Sequence, residues 1–445
     1  MTIHSDESST VHPGRSRASL AMALGVAVPG LAIRLLHPDL PHPLEALLFG
    51  LAIVGAAFLL SWAAEVAQLD ISAGLAIAVL ALIAVLPEYA VDFVFASKGG
   101  NSVQQFGASC PPLEGGIESP CSLALANMTG ANRLLIGIGW SMVIFIAWYR
   151  VRATHRREGR PVARWEGVRL HRSHSVELAY LAVATIYSLT LPLKHSITLV
   201  DAVVLVGIFV AYTWRISRAP AEEPHLVGPA EYLGTLRTRT RRRTIIALFV
   251  GAAAIILLCA EPFAESLVAT GKAVGVSEFL LVQWLAPLAS EAPELLVAGL
   301  YAWRLNTNAG LGTLVSSKVN QWTLLVGTLP IVFAISSASL HGLPIEPRQR
   351  EELFLTAAQS FFAVAVLSNL SMSIREAWLL FGLFWAQFIV GAVLPEDLHM
   401  VSRLGVGAVY LVGGVWVFAR DRQRLRRLFR DGFRASYEEL SREKT

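Results

Sequence analysis

Two short segments of the chain resemble each other, and each places a glutamate inside apolar sequence. The first reads IAVLPEYAVDFVFA and contains Pro87-Glu88, and the second reads LAPLASEAPELLVAG and contains Pro293-Glu294. An ionised carboxylate in hydrocarbon is costly, and such residues usually mark an ion pathway or a buried pair. Internal repeats with proline-interrupted apolar segments are typical of secondary transporters, whose site lies where the halves meet. The sequence therefore predicts a membrane transporter of inorganic cations.

Each Pro-Glu segment is followed by a second matching piece. These pieces read TGANRLLIGIG and SKVNQWTLLVG, and in both an asparagine (Asn132, Asn320) precedes a glycine (Gly139, Gly327) by seven residues. The repeat therefore extends over at least two consecutive apolar segments in each half.

The composition supports a chain that lies largely in a lipid bilayer. Hydrophobic residues make up 54% and charged residues only 16%, with a mean hydropathy of +0.54, whereas soluble proteins average about 25% charged residues. A membrane-spanning helix needs about 20 apolar residues, and we identify about twelve such runs. They are 18–36, 44–66, 71–97, 122–148, 175–192, 196–214, 244–263, 276–302, 310–336, 351–370, 375–395 and 404–420.

The arginines predict the orientation in the membrane. Residues 150–172 contain eight Arg against two Glu, residues 215–243 contain seven Arg against three Glu, and the C-terminal tail is also basic. Loops rich in Lys and Arg remain cytoplasmic, and twelve spans place all three segments and both termini on one side. We therefore expect a bacterial-type inner (plasma) membrane protein. The net charge of +4 reflects this topology and predicts no nucleic-acid partner.

Two of the three cysteines lie in a predicted external loop. Cys110 and Cys121 bracket a Pro- and Gly-rich stretch, and an oxidising compartment favours a disulfide between them. The alternative is two unpaired thiols in a mobile loop. Cys259 lies in an apolar run and is expected in the core.

The two repeats are expected to be inverted relative to each other. Five helices separate the helix of Glu88 from that of Glu294, and an odd offset reverses the direction. Both Pro-Glu pairs would then lie near mid-membrane across a pseudo-two-fold axis. Proline also removes a backbone donor, which frees carbonyls at Ala84, Val85 and Ser290. Such carbonyls and carboxylates are ligands for hard cations.

This arrangement resembles the cation/calcium antiporter superfamily, the sodium/calcium exchangers and their proton-coupled relatives. The family has a Pro-Glu on one helix and a Gly-Ser-x-x-x-Asn/Asp on the next, in each of two repeats. The segments Ser316–Gln321 and Met128–Arg133 are similar to that second motif. The resemblance implies an all-α polytopic membrane protein with about twelve transmembrane helices and two inverted-topology repeats of the sodium/calcium exchanger type.

We expect seven regions along the chain. They are an N-terminal cytoplasmic segment with an extra helix (1–43), the first repeat core (44–148), a basic loop with two helices (149–214), a basic cytoplasmic linker (215–243), the second repeat core (244–336), C-terminal helices (337–420) and a basic cytoplasmic tail (421–445).

The chain departs from the family motifs at several positions. The family's Gly-Thr-Ser before Pro-Glu reads Ile83-Ala84-Val85 in the first repeat and Ala289-Ser290-Glu291 in the second. The family's Asn or Asp aligns with Arg133 and Gln321, or with Asn132 and Asn320 if the alignment shifts by one. The candidate ion-binding residues are Glu88, Glu294, Glu291, Asp92, Ser290, Thr129, Asn132, Arg133, Ser317, Asn320 and Gln321, with Glu88 and Glu294 as candidate metal ligands.

The charges of these residues suggest which ions are exchanged. Glu88 and Glu294 carry up to two negative charges, and we expect Arg133 to offset one of them by pairing with Glu88 or Glu291. This balance favours exchange of Na⁺ or K⁺ for protons by alternating access. A calcium/cation antiporter is the alternative, and a non-transporting membrane scaffold or sensor is a second one.

No enzyme signature occurs in the chain, and we expect no cofactor other than the transported cations. The expected partners are the lipid bilayer and inorganic cations. A homodimer is left open.

Overall fold

The computed structural model describes residues 13–70, 86–107, 110–112, 117–158, 165, 167–219, 226, 228–395 and 398–441. This part of the chain is almost entirely helical. Eight of its helices are long and apolar enough to cross a membrane. Each of the twelve predicted runs contains helix, although the first half of the run 71–97, with Ala84 and Val85, lies outside the described residues.

The first half of the chain contains seven helices among the described residues. They are α1 (Pro13–Leu36), α2 (His42–Ala67), α3 (Leu86–Phe106), α4 (Pro120–Leu134), α5 (Ser141–Arg157), α6 (Ser175–Ser188) and α7 (Leu199–Ile216).

The second half adds ten more within the described part. They are α8 (Pro229–Gly234), α9 (Thr238–Val274), α10 (Glu278–Trp303), α11 (Thr307–Asn320), α12 (Val326–Ser336), α13 (Pro347–Leu367), α14 (Ile374–Val393), α15 (His399–Arg420), α16 (Arg422–Phe433) and α17 (Tyr437–Ser441).

Two long helices contain a wider turn in the middle. Leu135–Trp140 joins α4 to α5 as a π-helical turn, and Gln321–Leu325 joins α11 to α12 in the same way. Each π turn follows within three residues of the asparagine of its repeat, Asn132 or Asn320. Such turns are frequent at functional sites in helices. The two halves of the chain therefore share this irregular helix geometry as well as the sequence motifs.

The two ends of the helical bundle differ in their chemistry. At the basic end, Arg241 and Arg242 pair with Asp70, and β1 (Val168–Arg169) pairs antiparallel with β4 (Ser371–Met372). At the opposite end, which we call the disulfide end, Cys110 and Cys121 are joined. There β2 (Ser196–Ile197) pairs with β3 (Leu343–Pro344), and Glu278 accepts hydrogen bonds from the backbone of Ile117 and Glu118.

These ends confirm that the two repeats are inverted. Helix α3 runs toward the disulfide end, because Phe106 is followed by Cys110. Helix α10 starts at that end with Glu278 and finishes at the basic end, where Arg150 donates to the Trp303 carbonyl. The Pro-Glu helices of the two halves are therefore antiparallel.

Small residues bring the core helices close together. A Cβ added at Gly130 on α4 would lie 1.7 Å from the Gln283 carbonyl oxygen of α10, and one at Gly55 on α2 would lie 2.4 Å from the Ala23 carbonyl oxygen of α1. Small residues at helix contacts are typical of membrane bundles. At Gly130, this contact brings the second-motif helix of one repeat against the Pro-Glu helix of the other.

Candidate cation-binding site

One amide joins the carboxylates of the two repeats. Gln321 Nε2 donates to Glu88 Oε1 at 3.2 Å and to Glu291 Oε1 at 2.7 Å, and all three side chains are buried. Gln321 is the first residue of the second π turn. The inverted repeats thus bring Glu88 from α3 and Glu291 from α10 to the same side chain.

The remaining oxygen atoms of this group have no donor among the described residues. They are Glu88 Oε2, Glu291 Oε2 and Gln321 Oε1. Carboxylate and amide oxygens are the ligands that hard cations prefer. Within the described part of the chain, no group of three or more His, Cys, Asp or Glu side chains is arranged to hold a metal ion. The oxygens present are two carboxylates and one amide.

Glu294 lines a cavity in the bundle. Ser317 Oγ donates to Glu294 Oε2 at 2.6 Å, so this motif pair is formed in the second repeat. A cavity of about 200 Å³ between α2, α10 and α11 is lined by Glu294, Ser290 and Pro87, and it extends to Gln68 near the basic end. The Pro-Glu motifs of both repeats therefore border a space that leads toward one side of the bundle.

Asp92 forms a separate buried pair. It lies four residues after Glu88 on α3, and Asn127 Nδ2 of α4 donates to Asp92 Oδ1 at 2.7 Å. Asp92 is 1% exposed, so it does not reach water at the helix end. Asn127 was not predicted as a site residue, although it lies five residues before Asn132 in the same motif helix.

A buried lysine occupies the oxygens of Asn132. Lys318 Nζ donates to the Asn132 carbonyl at 2.5 Å and to Asn132 Oδ1 at 2.6 Å, and Lys318 is fully buried. It interacts electrostatically with Glu291 and Glu88. Lys318 was not among the candidate residues predicted from the sequence, although it lies between two of them, Ser317 and Asn320. It is the positive charge that faces the carboxylates.

The predicted partner of Arg133 was wrong. Arg133 binds Glu352 of α13, with 2.8 Å between the guanidinium and Glu352 Oε2, and its guanidinium lies 4.8 Å from the ring centre of Trp284. Consecutive residues of a helix point about 100° apart, so Arg133 faces α13 when Asn132 faces Lys318. Arg133 therefore offsets the charge of Glu352 and not that of Glu88 or Glu291. Glu352 was visible in the sequence as an acid at the start of an apolar run.

The candidate hydroxyl groups mostly bond to their own helices. Thr129 Oγ1 donates to the Leu125 carbonyl at 2.8 Å, and Ser290 Oγ donates to the Pro287 carbonyl at 3.2 Å. Asn320 Oδ1 is buried and accepts no hydrogen bond from the described residues. The structure thus groups Glu88, Glu291 and Gln321, and it places Thr129 outside this group.

The chain matches the family model described as sodium/calcium exchanger protein over residues 44–217 and 244–392. These two segments contain both Pro-Glu motifs and both π turns. Among curated proteins, no sequence matches the chain.

Two solved structures are similar in fold over most of the chain. The first is the crystal structure of the H⁺/Ca²⁺ exchanger CAX, whose sequence is 39% identical to this chain. The structures superpose with a TM-score of 0.83, and the match covers 96% of this chain and 99% of that one. The structure of native YfkE is 12% identical, with a TM-score of 0.55 over 89% of this chain and 99% of that one. The second likeness concerns the fold alone.

Proposed function

Because this chain belongs to the family of sodium/calcium exchanger proteins, we propose that it exchanges Ca²⁺ for protons across a membrane. The observation that carries this proposal is the buried group in which Gln321 joins Glu88 and Glu291. The similarity to an H⁺/Ca²⁺ exchanger at 39% identity supports the same choice of ions. The protein is a multi-pass membrane protein of a cation antiporter family.

The charge balance of the site favours a divalent cation. Exchange of Na⁺ or K⁺ was expected on the ground that Arg133 cancels one of two negative charges, and Arg133 instead binds Glu352. Glu88, Glu291 and Glu294 together carry up to three negative charges, and Lys318 offsets one of them. The carboxylates thus outnumber the one positive charge, which favours a divalent over a monovalent cation. Calcium/cation exchange, the alternative expected from the sequence, is thus better supported than exchange of Na⁺ or K⁺ for protons.

In this proposal the same carboxylates also bind the exchanged protons. Burial favours the neutral form of a carboxyl group, so a proton competes with a metal ion for each oxygen. Glu88 and Glu291 have one oxygen each that receives no hydrogen bond within the described structure. In this proposal the site releases Ca²⁺ when its carboxyl groups take up protons, and one site therefore couples the two flows.

The cavity at Glu294 supports a proposal about the side of the membrane from which ions reach the site. It leads toward the basic end, and the positive-inside rule makes that end cytoplasmic. We propose a bacterial-type inner membrane location with both termini in the cytoplasm. The structure then represents an arrangement in which Glu294 communicates with the cytoplasm through this cavity.

Transport by purified protein in liposomes tests the function. An imposed pH gradient should drive Ca²⁺ uptake, and Glu88→Gln or Glu291→Gln should abolish it because each removes an ionisable oxygen ligand. Glu265→Gln is the matched control, since Glu265 is exposed and pairs with Lys98 at 2.6 Å. A pH gradient that moves Na⁺ or K⁺ but leaves Ca²⁺ outside would overturn the proposal in favour of monovalent exchange.

A further inference from the structure

A second cavity lies at the basic end, remote from the carboxylates. It has a volume of about 440 Å³ and is lined by residues of α6, α13, α15 and α16. Ligand-binding cavities occupy about 300–1,000 Å³. Its walls are mainly aliphatic and aromatic, with Ile186, Phe361, Phe418 and Phe429 among them. The cavity is therefore suited to a hydrocarbon chain.

Helix α16 is fixed to the bundle and forms one wall of this cavity. Gly432 packs so closely against α6 that an added Cβ would lie 2.3 Å from Ala179 Cβ and 2.7 Å from the Ser175 carbonyl oxygen. Arg172 pairs with Asp431 at 2.8 Å beside this contact. The wall is therefore held in place by packing and by an ion pair.

Two arginines at the cavity differ from their neighbours on α16. Arg424 pairs with Asp421, and Arg430 pairs with Asp431. Arg422 and Arg426 line the cavity and are exposed, and neither forms an ion pair or hydrogen bond with another described residue. Two unneutralised guanidinium groups thus lie at the edge of an apolar space.

The apolar wall also contains one unsatisfied polar atom. Thr185 Oγ1 is buried, lines the cavity and has no hydrogen-bond partner among the described residues. A buried hydroxyl without a partner is destabilising. A ligand with a hydrogen-bond acceptor would satisfy it.

We propose that this cavity binds one anionic phospholipid from the leaflet at the basic end. The phosphate lies on Arg422 and Arg426, since guanidinium groups bind phosphate oxygens strongly, and an acyl chain fills the cavity. Thr185 Oγ1 donates to an ester oxygen of the lipid. Anionic lipids of the cytoplasmic leaflet and basic juxtamembrane segments attract each other, which raises the local concentration of such a lipid at this site. The proposal does not depend on which ions are transported.

Native mass spectrometry of the full chain in detergent tests the site. Phosphatidylglycerol and phosphatidylcholine with the same acyl chains would be titrated separately, and phosphatidylglycerol should bind more tightly. The double variant Arg422→Gln, Arg426→Gln should weaken phosphatidylglycerol binding by roughly five-fold per arginine. The double variant Arg427→Gln, Arg434→Gln removes the same charge from exposed positions that do not line the cavity, and it should bind like the unaltered protein.

A second pair of variants separates a lipid site from general electrostatic attraction. Ala182→Trp fills the cavity and should weaken phosphatidylglycerol binding, whereas Thr185→Val should weaken it by a smaller factor because only one hydrogen bond is lost. Equal binding of the two lipids, or equal losses in the two double arginine variants, would overturn the proposal. So would unchanged binding in Ala182→Trp, because the acyl chain would then lie elsewhere.

Discussion

Lys318 of the second repeat donates two hydrogen bonds to Asn132 of the first, at 2.5 Å to its carbonyl and 2.6 Å to its side-chain oxygen. The two second-motif helices are therefore linked beside their π turns by a fully buried ammonium group. The same lysine lies within electrostatic range of Glu291 and Glu88. Its charge thus contributes both to the contact between repeats and to the balance of the cation site.

Replacing Lys318 by Met should affect affinity and stability in opposite directions. The variant should need less Ca²⁺ for half-maximal uptake, because a positive charge that repels the cation is removed. It should also unfold more easily, by about 1–3 kcal/mol, because the oxygens of Asn132 lose their donor. Uptake measured against Ca²⁺ concentration, together with chemical unfolding, checks both effects. Lys318→Arg is the control, because it retains the charge. A weaker Ca²⁺ affinity in Lys318→Met would contradict the role assigned to the charge of Lys318.

The pair of Arg133 and Glu352 should behave as a structural unit. Arg133→Gln removes the closer of the two arginines that pair with buried Glu352, the other being Arg403 at 3.9 Å, and should lower the unfolding free energy by about 1–3 kcal/mol. The double variant Arg133→Gln, Glu352→Gln should recover much of that loss, since no unpaired charge remains. Both variants should retain the Ca²⁺ affinity of the unaltered protein. A rise in Ca²⁺ affinity in Arg133→Asn would instead mean that Arg133 acts at the cation site, as the sequence suggested.

The disulfide can be counted by thiol labelling. Folded protein should react weakly, because Cys259 is buried and the other two cysteines are joined. Unfolded, non-reduced protein should take up one label, and reduced protein should take up three. Reduction should also lower the unfolding free energy by about 2–4 kcal/mol. Three labels before reduction would show that Cys110 and Cys121 are not paired.

Asp70 should make stability depend on pH at the basic end. The hydrogen bond from Arg241, together with Arg242, holds the pKa of Asp70 below its usual value. The ionised carboxylate therefore stabilises the fold at neutral pH, and this contribution is lost as the pH falls from the unfolded pKa of about 3.9 through the lower folded one. Asp70→Asn should lower the melting temperature at pH 7, and the difference should shrink below about pH 4. Asp39→Asn, at an exposed position, is the control and should change little.

The sequence predicted the membrane helices and the inversion because both depend on local patterns. Apolar runs and arginine clusters report burial in lipid directly, and the Pro-Glu repeat marked Glu88 and Glu294. The partners of the site residues were harder to predict. Arg133 and Asn132 are adjacent in the chain, yet they face different helices, and only the packing of α13 shows that Glu352 is available.

The π turns explain a further difficulty. A regular helical spacing does not reveal a turn that contains an extra residue, so the direction of side chains beyond Leu135 and Gln321 cannot be read from the repeat. Gln321 therefore appeared only as a substitute for a family ligand, whereas in the structure it joins two carboxylates. The bond from Lys318 to Asn132 could not be predicted either, because it depends on the contact between the two repeats.

Each of the two π turns also interrupts the regular spacing of side chains along its long helix. The turns at Leu135–Trp140 and Gln321–Leu325 each hold surplus backbone that an α-helix would not accommodate. In a regular membrane helix, deleting one residue rotates everything beyond the deletion by about 100° and turns a lipid-facing stripe toward the core. Removing a single residue from either π turn would instead take away the surplus backbone and leave a regular α-helix. Helix α5 or α12 would then keep the direction of its side chains, with Asn132 or Asn320 still in place.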